Sequence, residues 1–233
     1  MNSIAWLIHK TYAGDSSVRA LFWTREYGMI RALYKGGRQP KKQALLREFT
    51  PLWVAFHEKK GWFYVRHLEM AAVSLNLQDR YLFSGLYLNE LLYLTLPLQD
   101  AYPELYDIYV HSLQRLYQAS STHTLEQVLR RFEWALLVSL GYAISFTHEA
   151  HTQLPIVATN YYAFKAGKGL IRAEIGILGA DILALANNEL DNAQVLKIAK
   201  YLMREAIAHV LAGKEIKTRA LFEKISKSAD TLS

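Results

Sequence analysis

Residues 28–42 read GMIRALYKGGRQPKK, an apolar strand pattern that runs directly into a loop of turn residues and positive charge. Met29, Ile30, Ala32, Leu33 and Tyr34 supply the β-type run. Gly36, Gly37 and Pro40 end it, since glycine weakens a ladder and proline removes a donor from it. Arg31, Lys35, Arg38, Lys41 and Lys42 share the stretch with no acidic residue among them. A basic run taken alone is usually a solvated loop. Its position along the chain gives this one more weight.

Residues 1–79 hold 12 Lys and Arg against 6 Asp and Glu, whereas the remainder of the 233-residue chain holds 15 of each. The whole formal charge of +6 therefore belongs to the first third. Such asymmetry points to an electrostatic footprint on one module, whose usual partners are nucleic acid or anionic lipid. The length and a 52% hydrophobic content allow a real core and two domains, expected at 1–79 and 80–233. The absence of cysteine excludes disulfides, thiolate zinc sites and a cysteine nucleophile. The N-terminal residues lack a signal-peptide pattern, and the most apolar window, 81–97, is interrupted by Asn89 and Glu90. The chain is expected to be soluble, cytoplasmic and not exported.

Working outward from the basic stretch, short β-like runs fall at 4–9, 18–24, 51–56 and 62–68, with turns at 13–15, 25–28 and 58–61. In the second run Val18, Ala20 and Phe22 face one way and Arg19, Leu21 and Trp23 the other. Five strands in about 70 residues suggest a small closed barrel, because closure removes exposed edges. Beyond residue 72 the period changes to that of helices, expected at 81–96, 103–119 and 124–140, the last opened by Thr124 and closed by Gly141. A two-stranded ribbon is expected at 160–172, followed by helices at 180–187, 193–211 and 218–226. The fold class is α+β, a barrel followed by a mainly helical domain with a small ribbon.

His148, Glu149 and His151 are spaced as metal ligands could be, but no thiolate, helical HExxH frame or further ligand accompanies them. No nucleophile elbow, phosphate loop or dinucleotide fingerprint occurs, so no catalytic residue, metal or cofactor is assigned. Trp23, Tyr27, Tyr34, Trp53, Trp62 and Phe63 are interleaved with Arg25, Arg31, Lys35 and Arg38. Rings of this kind either pack in the core or stack on the bases of single strands. The segment LRRFEW sets Arg130 and Arg131 beside Trp134, a pattern for a carboxylate with an apolar neighbour. Lys214, Lys217 and Arg219 form a second basic group that could continue a nucleic-acid path.

The chain resembles RecO, the bacterial recombination mediator family. The resemblance rests on FWTREYGMIRALYKGGRQPKK, on LFSGLYLNELL, on LRRFEWALLVSLGY and on GKEIKTRALF. It implies an N-terminal oligonucleotide-binding (OB-fold) barrel, a helical second domain and no catalytic turnover. It also implies association with the nucleoid, binding of single-stranded and duplex DNA, and annealing of single strands. The partners it implies are the acidic tail of single-stranded DNA-binding protein and RecR, with which RecA is loaded; no membrane or small-molecule substrate is implied. Consecutive helical residues point about 100° apart, so one of Arg130 and Arg131 is expected to meet the tail, and the resemblance favours Arg130. Some relatives hold zinc with four cysteines in the region of 146–170, which this chain lacks. An RNA-binding barrel is the alternative reading. A protein of anionic membranes is a weaker one, since neither a basic amphipathic helix nor a lipidation motif is evident.

Overall fold

Val18, Ala20 and Phe22 all enter one apolar cluster with Leu7, Ile30, Ala32, Leu52 and Val54, which is how the first 70 residues close on themselves. The computed structural model describes residues 1–219. The chain forms two compact units, Met1–Gln118 with the described residues from Ile216 onward, and Ala119–Glu215. The first unit thus reaches past residue 79, where the secondary structure changes from strand to helix.

In the first unit β1 (Asn2–Ala13), β2 (Ser17–Thr24), β3 (Gly28–Tyr34), β4 (Pro51–Lys59) and β5 (Trp62–Met70) make a closed barrel in the order β1-β2-β3-β5-β4. The β3–β5 pair is parallel and the other pairs are antiparallel. This is the five-stranded OB-fold arrangement. Between β3 and β4 the basic loop contains one helical turn, α1 (Pro40–Gln43), where proline at the first position forfeits no bond. The outer face of β2 is also covered at Leu21 and Trp23, where Trp23 lies fully buried with Tyr106 and Tyr109 against its ring at 5.3 and 5.2 Å.

α2 (Asp79–Thr95) and α3 (Pro103–Gln118) complete this unit, and the SGLYLNELL stretch of α2 explains itself residue by residue. Gly85 lets the helix approach Phe49: a Cβ there would stand 2.7 Å from the ring. A bulge in β1 between Leu7 and His9 disturbs the ladder. The buried Asn89 amide donates to the Leu7 carbonyl at 3.4 Å and its oxygen accepts from the Tyr109 hydroxyl at 2.6 Å. Glu90 then anchors the chain after Ile216. Its carboxylate accepts from the backbone N–H groups of Lys217 and Thr218, both at 2.9 Å, and from the Thr218 hydroxyl at 2.6 Å. A carboxylate at that position satisfies the donors that open a helix. Of the helix expected at 218–226, residues 220–226 lie outside the described residues.

The second unit contains α4 (Thr122–Ser139), β6 (Tyr161–Lys165), β7 (Gly169–Ala173), β8 (Ile177–Leu178), α5 (Gly179–Ala186) and α6 (Ala193–Leu211). The expected ribbon is a three-stranded sheet in the order β7-β6-β8, its third strand being too short for alternation to reveal. α4 is capped by Ser121 rather than by Thr124: the Ser121 hydroxyl accepts from the Thr124 N–H at 3.1 Å, and Thr124 lies inside the first turn. Gln127 is drawn away to the Leu190 carbonyl and the Asp191 carboxylate. Residues 145–157 are tied by packing and backbone bonds. Phe146 stacks on Trp134 at 4.7 Å, Ala150 N–H donates to Leu170, and Ile156 N–H donates to Thr147.

Candidate nucleic-acid interface

Alternation along β3 sends Ile30, Ala32 and Tyr34 inward and leaves Arg31 exposed and Leu33 half-buried on the outer face. The parallel register sets Leu33 beside Tyr64, so the outer residues of β5 continue this face. β4 closes it on the far side, with His57 opposite Tyr64 and Lys59 opposite Trp62. The hairpin between β4 and β5 is only Lys60 and Gly61, both at positive φ (54° and 76°), as a tight turn matched to strand twist requires. It projects Lys59, Lys60 and Trp62 together at the rim.

These side chains, with Lys35, His57, Tyr64 and Arg66, line an open groove. No acidic residue is among the lining. The Lys35 ammonium lies 5.5 Å from the centre of the Tyr64 ring, an amine held over an aromatic face. Four cations around a concavity with low-dielectric walls focus positive potential into it. The groove suits a polyanion that follows its length.

The basic loop lies beyond the same end of β3. Arg38 donates to the Gly14 carbonyl at 3.1 Å and covers the Tyr12 ring at 4.6 Å. Lys42 donates to the Lys35 carbonyl at 2.9 Å and sits 5.1 Å from the Tyr34 ring centre, while Lys41 is exposed. The structure therefore brings Lys35, Arg38, Lys41 and Lys42 to one end of the barrel, with Arg38 and Lys42 also bracing the loop, and sets Arg31 on the outer face at the middle of β3. Arg25 stands apart at the opposite end of β3. Its guanidinium grips Asp107 with two bonds, Nε to Oδ1 at 2.9 Å and Nη2 to Oδ2 at 2.8 Å, and this pairing holds the Asp107 carboxyl below the usual carboxylate range. Missing from the expected set are Lys59, Lys60 and Arg66. The alternation of 62, 64 and 66 on one face of β5 was the available signal for Arg66.

Lys217 and Arg219 belong to the first unit and Lys214 to the second. The Arg219 guanidinium lies 5.9 Å from the Tyr87 ring centre. Burial lowers the His9 pKa, Glu48 opposes that shift, and the Lys217 ammonium adds to it.

On α4 the two arginines part. Arg130 is only 7% exposed, and its Nη2 donates to Glu133, itself 2% exposed, at 2.9 Å. Arg131 is half-buried and donates to the Asn188 side chain at 3.3 Å. Trp134, also half-buried, is the neighbour of Arg131 three residues on. His148 bonds the Thr147 hydroxyl and Glu149 accepts from Thr152. Among the described residues no group of three or more His, Asp and Glu is placed to hold a metal, and no helix is long and apolar enough to cross a membrane.

Comparison with known proteins agrees with this architecture. Residues 80–220 match the family described as "Recombination protein O C terminal". The chain is 48% identical over 219 residues to the DNA repair protein RecO of Legionella pneumophila (strain Corby), covering 94% of this chain and 96% of that one. The chain belongs to the RecO family of DNA repair and recombination proteins. More distant relatives extend over the same span. The RecO proteins of Actinobacillus pleuropneumoniae serotype 7 (strain AP76) and Yersinia pestis (strain Pestoides F) are 34% and 35% identical over 226 residues, or 94% of this chain and 93% of each relative. RecO family membership thus covers the barrel as well as the helices.

Proposed function

We propose that the chain is a recombination mediator that binds and anneals single-stranded DNA, also meets duplex DNA, and does so through the outer face of its barrel. The observation that carries this reading is the groove lined by Lys35, Lys59, Lys60 and Arg66 with no carboxylate in its wall. Binding there is electrostatic and nearly indifferent to sequence, because phosphates carry no base identity. Annealing follows from that indifference: two strands held by their backbones keep their base edges free to pair. Arg38, Lys41 and Lys42 extend the path past the end of β3, and Lys217 and Arg219 add charge to the same unit.

The same proposal includes the protein partners. The acidic tail of single-stranded DNA-binding protein ends in acidic residues, an apolar side chain and a free carboxylate, so it needs a cation beside a hydrophobic slot. Arg131 with Trp134 answers that need better than Arg130, whose charge is already matched by Glu133 inside the unit. RecR, with which RecA is loaded, completes the partner set. No catalytic step, cofactor or membrane is part of this reading.

The test is an affinity panel at one salt concentration: labelled single-stranded DNA, duplex DNA, RNA of the same sequence, and vesicles of anionic lipid. The proposal expects single-stranded DNA to bind at least as tightly as any other member. Tighter binding of RNA would move the function to RNA metabolism, and binding of vesicles alone would overturn it.

A further inference from the structure

We infer that Trp62 is the base-stacking residue of this groove and that it makes the barrel prefer unpaired strands. The inference rests on the groove being the DNA site. Most aromatic rings of the barrel are already engaged. Trp23 is fully buried, Trp53 meets the His67 ring at 5.6 Å, Tyr12 lies under Arg38, and Tyr34 is buried with Lys42 over it. Trp62 is as exposed as Tyr12, each at 64%, but of the two only Trp62 lines the cationic groove.

Its backbone position is set by the sheet. It opens β5 immediately after the two-residue turn and pairs with Lys59 across the hairpin. The pleat puts it on the same outer face as Tyr64, with Lys35 above that ring. A strand whose phosphates follow Lys35, Lys59 and Arg66 would pass its bases beside the indole. A single-stranded base offers an open π-face to such a ring, and stacking of this kind contributes about 5- to 150-fold per base in affinity. In a duplex both faces of each base are covered by neighbouring pairs, so only the phosphate contacts remain. Charge brings the polyanion in; the indole selects the form in which bases are free.

The deciding experiment compares an oligothymidine with an abasic oligonucleotide of equal length, which keeps the phosphates and lacks the bases. Wild-type protein should bind the oligothymidine about 5- to 150-fold more tightly. Trp62→Ala should bring that affinity down to the abasic level while leaving the abasic affinity and the salt slope unchanged. Trp62→Phe should restore part of the difference, and circular dichroism should confirm that both variants fold. Equal wild-type binding of the two oligonucleotides, or a Trp62→Ala loss of the same size on both, would overturn the role of Trp62 while leaving the electrostatic site in place. Binding of neither would overturn the groove as the DNA site, and the inference with it.

Discussion

Arg130→Ala is expected to destabilise the second unit by about 3–5 kcal/mol, the largest effect anticipated for a charged residue of this chain. The pair it forms with Glu133 is nearly sealed from water, the two side chains being 7% and 2% exposed. Removing Arg130 takes away the guanidinium that faces the Glu133 carboxylate at 2.9 Å, where little solvent is at hand to screen the charge. Replacing both, as in Arg130→Met with Glu133→Leu, should recover most of the loss, because apolar groups of similar volume need no partner. A urea melt of each variant reads the difference; an Arg130→Ala protein as stable as wild type would show that the pair is not held as described. A second consequence concerns the acidic tail. Lost peptide binding in Arg130→Ala would reflect a loosened α4 and could not identify a contact. Arg131→Ala is the informative variant, expected to keep its stability and to lower affinity for a labelled tail peptide by about 10- to 150-fold, with single-stranded DNA binding unchanged.

Gly28→Ala should cost the barrel unit about 3 kcal/mol. Gly28 has φ +65° at the start of β3, a region where an L side chain costs roughly 1–2 kcal/mol. A Cβ there would fall 1.9 Å from the Asp100 carbonyl oxygen, and overpacking of this kind adds about 1–3 kcal/mol. The neighbour cannot step aside cheaply, because the segment before it is tied to β3: Gln99 N–H donates to the Met29 carbonyl at 2.9 Å, and Leu98 bridges to Met29. Gly14→Ala provides the comparison, with a similar φ of +62° but nothing within 4 Å of the added carbon. It should cost only the conformational part. If the two substitutions destabilise equally in a denaturant titration, the close approach of Asp100 contributes nothing.

The barrel was legible because its signals are local. Val18, Ala20 and Phe22 alternate, glycines punctuate, and five such runs leave few ways to hide their edges. The helices of the second half were legible for the same reason, α6 falling at 193–211 as its period indicates. Long-range pairings were not legible. Nothing near Arg25 announces Asp107, 82 residues away, and nothing near Arg130 says that Glu133 faces inward with it rather than outward as a solvated helix pair. Trp23 and Trp62 look alike as members of an aromatic cluster. Only the placement of α3 against β2 separates the fully buried ring from the exposed one. Lys59 and Lys60 were read as turn residues; Lys59 in fact ends β4, and only Lys60 lies in the turn at positive φ. The family motifs carried more than the pattern did: SGLYLNELL encodes a close helix approach at Gly85, a bulge partner at Asn89 and an anchor for the chain after Ile216 at Glu90.

If the DNA backbone lies in the groove between β3, β5 and β4, the salt dependence of binding must come from the cations of that groove. Five cations on this face, Arg31, Lys35, Lys59, Lys60 and Arg66, should contribute about −3.5 to the slope of log affinity for a single strand against log salt, at roughly −0.7 per contact. Replacing Lys35, Lys59 and Lys60 together by Gln changes only exposed side chains, so folding should be preserved. The triple variant, titrated by anisotropy between low and physiological salt, should show a slope flattened by about two units. A slope unchanged from wild type would contradict that location of the DNA.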